Sequence, residues 1–278
     1  MSQRFESHIN GYDGTELFYQ GWFVDEPHGL IIVTHGLGEH SESYNNFAHE
    51  LNSKGWNVIG WDLRGHGRSE GQRGYVDSFN EFEKDLKSLT DHIKTKYSHK
   101  NLVLFGHSMG GLISLKYLVA FGSQGFKAVV LSSPALGVNV KVSELKSKMA
   151  DFANDWLPRV TMGNEINDTD LHRDPELLAF YPKDPLRHNK ISPRLYKGML
   201  QAFDQIPQYA KEIQIPILIQ ASGLDSIVNT DAAKSFYESL TVSNKKIIIY
   251  PNSLHEIFND LEKQTCFDDL VSFLNQIK

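Results

Sequence analysis

The sequence contains a single cysteine, Cys266, among its 278 residues, and its apolar runs are short. One cysteine cannot form a disulfide within the chain, so we expect a reducing compartment, namely the cytoplasm. A membrane-spanning helix needs about 18 or more consecutive apolar residues, and no such run is present. The first ten residues also lack the basic start and apolar core of a secretory signal, so we predict none.

Positive charge is also scarce. The 28 lysines and arginines are outnumbered by 34 aspartates and glutamates, which gives a net charge of −6. Without a basic stripe the sequence is not that of a nucleic-acid-binding protein. It also lacks an H-E-x-x-H motif, clustered cysteines and histidines, and a G-x-G-x-x-G motif after a strand. We therefore expect neither a metal nor another cofactor.

The most informative stretch is Gly-His-Ser-Met-Gly at residues 106–110, which follows the apolar residues 102–105 and precedes a helical pattern of apolar residues. A strand, a sharp turn with G-x-S-x-G and a helix are typical of a nucleophile elbow, with Ser108 as the nucleophile. The two glycines allow strand and helix to approach closely. The N–H of Met109, at the start of the helix, then points towards the reacting centre.

Eight strand patterns alternate with helical patterns along most of the chain. This alternation predicts an α/β fold with a mostly parallel eight-stranded sheet and helices on both faces. The alternation stops at about residue 137 and resumes after residue 195. We predict an α/β core from residues 1–136 and 196–278, interrupted by an inserted helical cap at residues 137–195. One predicted cap helix has an apolar stripe formed by Val142, Leu145, Met149, Phe152 and Trp156.

Within the core, Ser78 and Glu81 have the spacing of a capping box at the start of a helix. The charged loop residues Asp62, Arg64 and His66 are interpreted as a hydrogen-bonded brace of a turn.

A serine nucleophile requires a base and an acid, and on this type of fold they follow the serine in the order acid, then histidine. His255 is the only histidine beyond residue 188, and it follows a strand pattern. Asp225 and Asp231 are the candidate acids. Asp225 follows a strand directly, whereas Asp231 begins a helix and is explained by the helix dipole. We therefore predict Ser108, Asp225 and His255 as the catalytic residues.

A developing oxyanion needs two hydrogen-bond donors. The second donor is predicted to be the N–H of Leu37, in the glycine-containing loop at residues 35–38. His35 is expected to support that loop through hydrogen bonds, and His107 is expected to be structural, with its side chain turned away from Ser108. Glu39 and His40 are expected along the pocket wall.

The motifs HGLGEH (35–40), GHGRSEGQRG (65–74) and GHSMGG (106–111), with the late SGLD and LHE segments, resemble the serine aminopeptidase S33-like α/β-hydrolases that include monoacylglycerol lipases and lysophospholipases. This resemblance implies the same three catalytic residues, the same two oxyanion donors and a helical cap over an acyl tunnel. It also implies that Glu39 and Tyr181 bind the head group. Ser43 and Phe258 occupy the positions at which the resemblance implies an arginine and a histidine.

The sequence therefore predicts a serine carboxylester hydrolase that cleaves monoacylglycerols or lysophospholipids through an acyl-enzyme on Ser108. An aminopeptidase, an iminopeptidase or a short-chain esterase of the same fold is the alternative. A binding protein without turnover is disfavoured, because all three catalytic candidates are present. The apolar stripe of the cap either contacts a membrane or micelle, which would make the protein peripheral at a membrane, or packs on the core. The sequence predicts no oligomeric state.

Overall fold

The computed structural model describes residues 3–97, 101–139 and 154–277, and an eight-stranded sheet forms its centre. The sheet contains β1 (Gln3–Asn10), β2 (Glu16–Phe23), β3 (Gly29–Thr34), β4 (Trp56–Trp61), β5 (Leu102–His107), β6 (Ala128–Ser132), β9 (Ile217–Ser222) and β10 (Lys245–Tyr250). Two further short strands, β7 (Met162–Gly163) and β8 (Lys190–Ile191), form a separate pair. The helices are α1 (Asn45–Ser53), α2 (Asn80–Lys96), α3 (Met109–Phe121), α4 (Asp168–Leu171), α5 (Pro175–Phe180), α6 (Pro193–Gln205), α7 (Thr230–Ser239) and α8 (Lys263–Gln276). Shorter 3-10 helices span Ser41–Tyr44, Tyr181–Lys183 and Ile206–Glu212.

The strand order in the large sheet is β1-β2-β4-β3-β5-β6-β9-β10. The pairs β1–β2 and β2–β4 are antiparallel, and the remaining pairs are parallel. Strands β3, β4, β5, β6 and β9 are buried at every residue. Such strands are covered on both faces, which explains their nearly continuous apolar sequences. The predicted mostly parallel sheet of eight strands is confirmed.

Helices cover both faces of the sheet because successive side chains of a strand point to opposite sides. In β3, Leu30 and Ile32 belong to one apolar core, and Ile31 and Val33 belong to the other. Helices α2, α3, α6 and α7 contribute to the first core, and α1 and α8 contribute to the second. In the described part of the chain, every helix is too short or too polar to cross a bilayer.

The chain leaves the large sheet after β6 and rejoins it at β9. The described residues between them form the two-stranded pair β7–β8 and helices α4, α5 and α6. We refer to residues 154–192 as the insertion. Of the predicted stripe, Val142, Leu145, Met149 and Phe152 lie outside the described residues, while the Trp156 side chain is exposed.

The predicted capping box at Ser78 and Glu81 is wrong. The Glu81 carboxylate accepts a hydrogen bond from Arg64 Nη1 at 2.9 Å, and the side chain of Ser78 accepts one from the Asn80 N–H. Arg64 also contacts Asp85 through two nitrogens, at 2.5 and 2.8 Å. A buried guanidinium needs carboxylate partners, and this need outweighs the local cap. The predicted hydrogen bonds of the loop at residues 62–66 therefore extend beyond that loop, because Arg64 connects it to α2.

Two glycines allow β5 and α3 to meet at a sharp turn. A Cβ on Gly106 would lie 2.5 Å from the Gly110 carbonyl oxygen. A Cβ on Gly110 would overlap the Thr34 carbonyl oxygen and lie 2.5 Å from that of His35. All of these neighbours are backbone atoms, which cannot move aside as a flexible side chain can.

We expect Gly110→Ala to lower the free energy of unfolding by about 1–3 kcal/mol, because the methyl group overpacks a backbone contact. The matched control is Gly163→Ala, since a Cβ at Gly163 has no atom within 4 Å. Denaturant titrations of both variants measure the difference. Equal stability of the two variants would contradict the close approach.

Candidate active site

Ser108 lies between the end of β5 and the start of α3, with φ at 52° and ψ at −120°. A positive φ is uncommon for a residue with a Cβ, and it persists only where surrounding contacts fix it. Here the Ser108 N–H donates to the Ser132 carbonyl at 3.0 Å, and the Ser108 carbonyl accepts from the Ala135 N–H at 3.0 Å. This conformation is the one expected of a nucleophile elbow.

His255 and Asp225 form a hydrogen-bonded pair. His255 Nδ1 lies 2.7 Å from Asp225 Oδ2, and both side chains are buried. The other carboxylate oxygen, Oδ1, accepts the N–H groups of Ile227 and Val228 at 2.9 Å each. Because Asp225 is fixed by its own loop, it orients the imidazole ring.

The alternative acid, Asp231, is in the first turn of α7 and does not take part in this arrangement. Its side chain is 83% exposed and pairs with Lys234 Nζ at 2.8 Å. Asp225 is therefore the acid partner of His255 in the structure.

Burial alone would lower the pKa of His255, but the charge and hydrogen bond of Asp225 outweigh it and raise the pKa above its usual value. Burial would conversely raise the pKa of Asp225, and the interaction with His255 together with two backbone N–H groups lowers it. The pair is thus arranged to stabilise an imidazolium beside a carboxylate.

Ser108 and His255 line one cavity of about 670 Å³ at the carboxyl ends of the parallel strands. The predicted residues Leu37, Glu39 and Tyr181 line it too. Buried Met109 lies directly behind Ser108, and Asp225 lies behind His255. Ligands of open α/β sheets bind at this edge, so the predicted site residues are brought together where a substrate would be expected.

The loop that follows β3 packs directly against Ser108. A Cβ on Gly36 would lie 3.1 Å from the Ser108 Cβ, which shows how closely the two backbones approach. His35 Nδ1 lies 2.7 Å from the Gly36 carbonyl, and its Nε2 accepts the Leu63 N–H at 3.0 Å. Burial lowers the pKa of His35 to about 3, so the ring is neutral at pH 7. The predicted supporting role of His35 is confirmed.

Glu39 and Glu256 form a buried acidic pair beside this loop. Glu39 Oε1 accepts the Gly36 N–H at 2.5 Å, and Glu256 Oε2 accepts hydrogen bonds from Tyr181 Oη at 2.7 Å and Asn259 Nδ2 at 2.8 Å. Burial and the charge of Glu256 raise the pKa of Glu39 to about 7. Burial would raise the pKa of Glu256 as well, but positive charge, above all that of Arg187, lowers it. A single proton is therefore held more readily on Glu39 than on Glu256.

Glu256 and Arg187 are cavity residues that the sequence analysis did not identify. Glu256 directly follows His255 in the sequence, and this position next to a catalytic candidate is the feature that could have indicated a cavity residue. Arg187 comes from the insertion, and no local pattern pairs it with Glu256.

His107 makes a structural contact and also lines the cavity. Its Nδ1 lies 3.1 Å from the Ser132 carbonyl, consistent with the predicted structural role. Its ring nevertheless lines the cavity, with its centroid 4.8 Å from that of His255. Burial and the neighbouring His255 lower the pKa of His107 to about 3, so it adds no positive charge to the cavity at pH 7.

The insertion holds the loop that carries His255. Arg173 donates from Nε to Asp260 Oδ1 at 3.0 Å and from Nη2 to Asp260 Oδ2 at 2.6 Å. The Leu171 carbonyl accepts the Glu256 N–H at 2.7 Å. A bidentate arginine–carboxylate contact is both strong and specific in geometry, so it fixes the position of this loop.

The chain matches the family described as "Serine aminopeptidase, S33" over residues 25–262. The protein belongs to this family. It is 31% identical to the monoglyceride lipase of Mus musculus, over 93% of this chain and 86% of the relative. It is 28% identical to the monoacylglycerol lipase of Mycolicibacterium smegmatis, over 98% of both chains.

Among solved structures, the fold is similar to that of a Paleococcus ferrophilus monoacylglycerol lipase, with a TM-score of 0.84, 27% identity and full coverage of both chains. The predicted family resemblance, the α/β-hydrolase fold and the enzyme class of ester hydrolase are confirmed.

In this S33 family member we expect activity to rise with pH as His255 loses its proton, since only the neutral ring can act as a base. Asp225→Asn removes the charge that keeps the pKa of His255 raised, so the rising limb moves to lower pH. We also expect a loss of about 10³–10⁴-fold in kcat, because the amide fails to hold the correct tautomer. The matched control Asp231→Asn is expected to leave both the rising limb of the pH–rate profile and kcat unchanged. A pH–rate profile for a nitrophenyl ester tests this, and similar losses in both variants would contradict the assignment.

Proposed function

We propose that this ester hydrolase cleaves single-chain lipid esters, monoacylglycerols or lysophospholipids, with Ser108 as nucleophile. The observation that carries the proposal is the strained Ser108 elbow in one cavity with His255, which is hydrogen-bonded to Asp225 at 2.7 Å. The names of the mouse and mycobacterial relatives support the substrate class.

In the proposed reaction, Ser108 Oγ attacks the ester carbonyl while His255 Nε2 takes its proton. The carbonyl oxygen becomes an oxyanion that accepts hydrogen bonds from the N–H groups of Leu37 and Met109. The Met109 N–H suits this role, because the first N–H of a helix has no partner within the helix. When the intermediate collapses, the ester C–O bond breaks and the protonated His255 gives its proton to the departing alcohol. Water then attacks the acyl-enzyme with His255 again acting as base, which releases the fatty acid and restores Ser108.

Residues 137–195 are proposed to form the cap over the substrate. In this proposal Glu39 and Tyr181 bind the head group at the cavity wall. The apolar side chains that line the cavity supply a surface for the acyl chain: Leu37, Ile166, Leu171 and Leu178.

An aminopeptidase is the second candidate, and the buried carboxylates Glu39 and Glu256 are the observation that favours it. An acidic site suits a substrate amine, and the family description names aminopeptidases. Arg187 lines the same cavity and opposes a cationic substrate, so the ester assignment is preferred.

Ser108→Ala is expected to reduce hydrolysis of nitrophenyl esters by about a thousandfold or more and to abolish labelling by a fluorophosphonate probe, because both need the hydroxyl group. Ser235→Ala, at an exposed position on α7, is the matched control and should behave as the parent.

The parent enzyme is then assayed with monoacylglycerols, lysophospholipids, short esters and aminoacyl amides. If the Ser108→Ala variant still hydrolyses nitrophenyl esters and is still labelled by the fluorophosphonate probe, Ser108 is not the nucleophile. Faster turnover of aminoacyl amides than of lipid esters would instead favour the second candidate.

We propose a cytoplasmic protein that contacts lipid surfaces transiently through its cap, in keeping with its single, buried cysteine. The insertion exposes Leu157, Val160 and Met162, whose side chains are 53–57% exposed. Exposed apolar side chains that are near one another in the sequence suit insertion into a membrane interface.

Replacing Leu157, Val160 and Met162 together by Ser is expected to lower co-sedimentation with phosphatidylcholine vesicles by roughly tenfold, because apolar area no longer leaves water. Leu261→Ser is the control, because Leu261 is 68% exposed but lies outside the insertion. An equal loss with the control would argue against a cap-specific contact. Recovery of the protein in the membrane fraction at high salt would overturn the cytoplasmic assignment.

A further inference from the structure

Arg187 is a basic cavity residue that the proposed reaction leaves without a role. It comes from the insertion, lines the cavity with Ser108 and His255, and is half-buried. Its guanidinium lies over the Tyr181 ring, 3.7 Å from the ring centroid. This stacking fixes the plane of the guanidinium and therefore the directions of its N–H groups.

One nitrogen of this guanidinium, Nη1, is buried and has no hydrogen-bond partner among the residues that the structure describes. A buried donor without an acceptor is unfavourable, so an acceptor oxygen from a ligand would be stabilising here. Glu256 Oε2 accepts hydrogen bonds from Tyr181 Oη and Asn259 Nδ2 and does not accept one from this donor.

The charges around the cavity indicate which ligand fits. Among the described lining residues, Glu39, Asp168, Asp184 and Glu256 are acidic and Arg187 is the only lysine or arginine. A phosphate is an anion that only accepts hydrogen bonds, so the acidic wall disfavours it. An ammonium only donates and is opposed by Arg187. A hydroxyl group both donates and accepts, which suits an arginine beside carboxylates.

The two positions at which the family resemblance implies an arginine and a histidine do not supply such groups here. Ser43 has a short neutral side chain, and Phe258 packs among Phe47, Phe105 and Phe267, with ring centroids 5.1, 5.7 and 4.9 Å away. The cation of this cavity therefore comes from the insertion instead of from the loop after β3.

We propose that Arg187 is a specificity-determining residue whose Nη1 donates a hydrogen bond to a hydroxyl oxygen of a neutral polyol head group. The same head group donates from its hydroxyls to the carboxylates of Glu39 and Glu256. This inference rests on the proposed lipid-ester hydrolysis and assigns its leaving alcohol to the neutral polyols, and so to monoacylglycerols before lysophospholipids.

The test uses Arg187→Lys, which keeps the positive charge beside Glu256 but loses the planar fork that carries Nη1. Three esters of one acyl chain are compared: the monoacylglycerol, the methyl ester and the lysophosphatidylcholine. We expect kcat/KM for the monoacylglycerol to fall about tenfold, mainly through KM, which corresponds to one lost charged hydrogen bond. The methyl ester lacks free hydroxyls and should change by less than about twofold.

Arg159→Lys is the matched control, because its side chain is 70% exposed in the same insertion. Melting temperatures of both variants separate a loss of binding from a loss of folding. The double variant Arg187→Met with Glu256→Gln removes both charges together and also the Glu256 carboxylate that accepts a head-group hydroxyl, so the ratio of monoacylglycerol to methyl-ester turnover should fall at least as far as in Arg187→Lys.

If Arg187→Lys leaves the ratio of kcat/KM for the monoacylglycerol to that for the methyl ester unchanged, Arg187 does not have the proposed role. A fall confined to lysophosphatidylcholine would assign the guanidinium to phosphate and overturn the polyol head group. If the parent enzyme hydrolyses none of the three esters, the proposed function fails and this inference fails with it. That outcome is recognised in the parent alone, before any variant is compared.

Discussion

The backbone conformation of Ser108 is the constraint on which the rest of the site depends. A φ of 52° is costly for serine, and the surrounding structure must hold it. It is held because Gly106 and Gly110 bring β5 and α3 together and because backbone hydrogen bonds from neighbouring strand ends fix the turn. The same close approach brings the loop at Gly36 against Ser108, so the strained turn and the candidate oxyanion donors are parts of one packing arrangement.

A second constraint is electrostatic. Glu39 and Glu256 are buried near each other, and two buried carboxylates cannot both be ionised without compensation. Arg187 supplies part of that compensation, while burial and the charge of Glu256 raise the pKa of Glu39 to about 7. Because Glu39 also accepts a hydrogen bond from the Gly36 N–H, the charge balance of the cavity and the shape of the loop beside Ser108 are linked.

The residues that could be predicted are those whose role is set by nearby sequence. Ser108 is defined by its own turn, and the sheet is defined by short apolar strands that must be buried on both faces. The capping box at Ser78 and Glu81 failed because Arg64, distant in sequence, required the carboxylate. Arg187 could not be found for a similar reason, since its charge partner Glu256 comes from another loop and the insertion has no regular apolar period.

The insertion does more than contribute residues to the cavity lining. Its Arg173 binds Asp260, and Asp260 also accepts the N–H of Leu254, the residue before His255. Its Arg187 lines the cavity. One segment thus supports the loop of the candidate base and supplies the positive charge at the cavity wall. Changes in the insertion consequently reach both the loop of His255 and the charge at the cavity wall, even though Ser108, Asp225 and His255 all lie outside it.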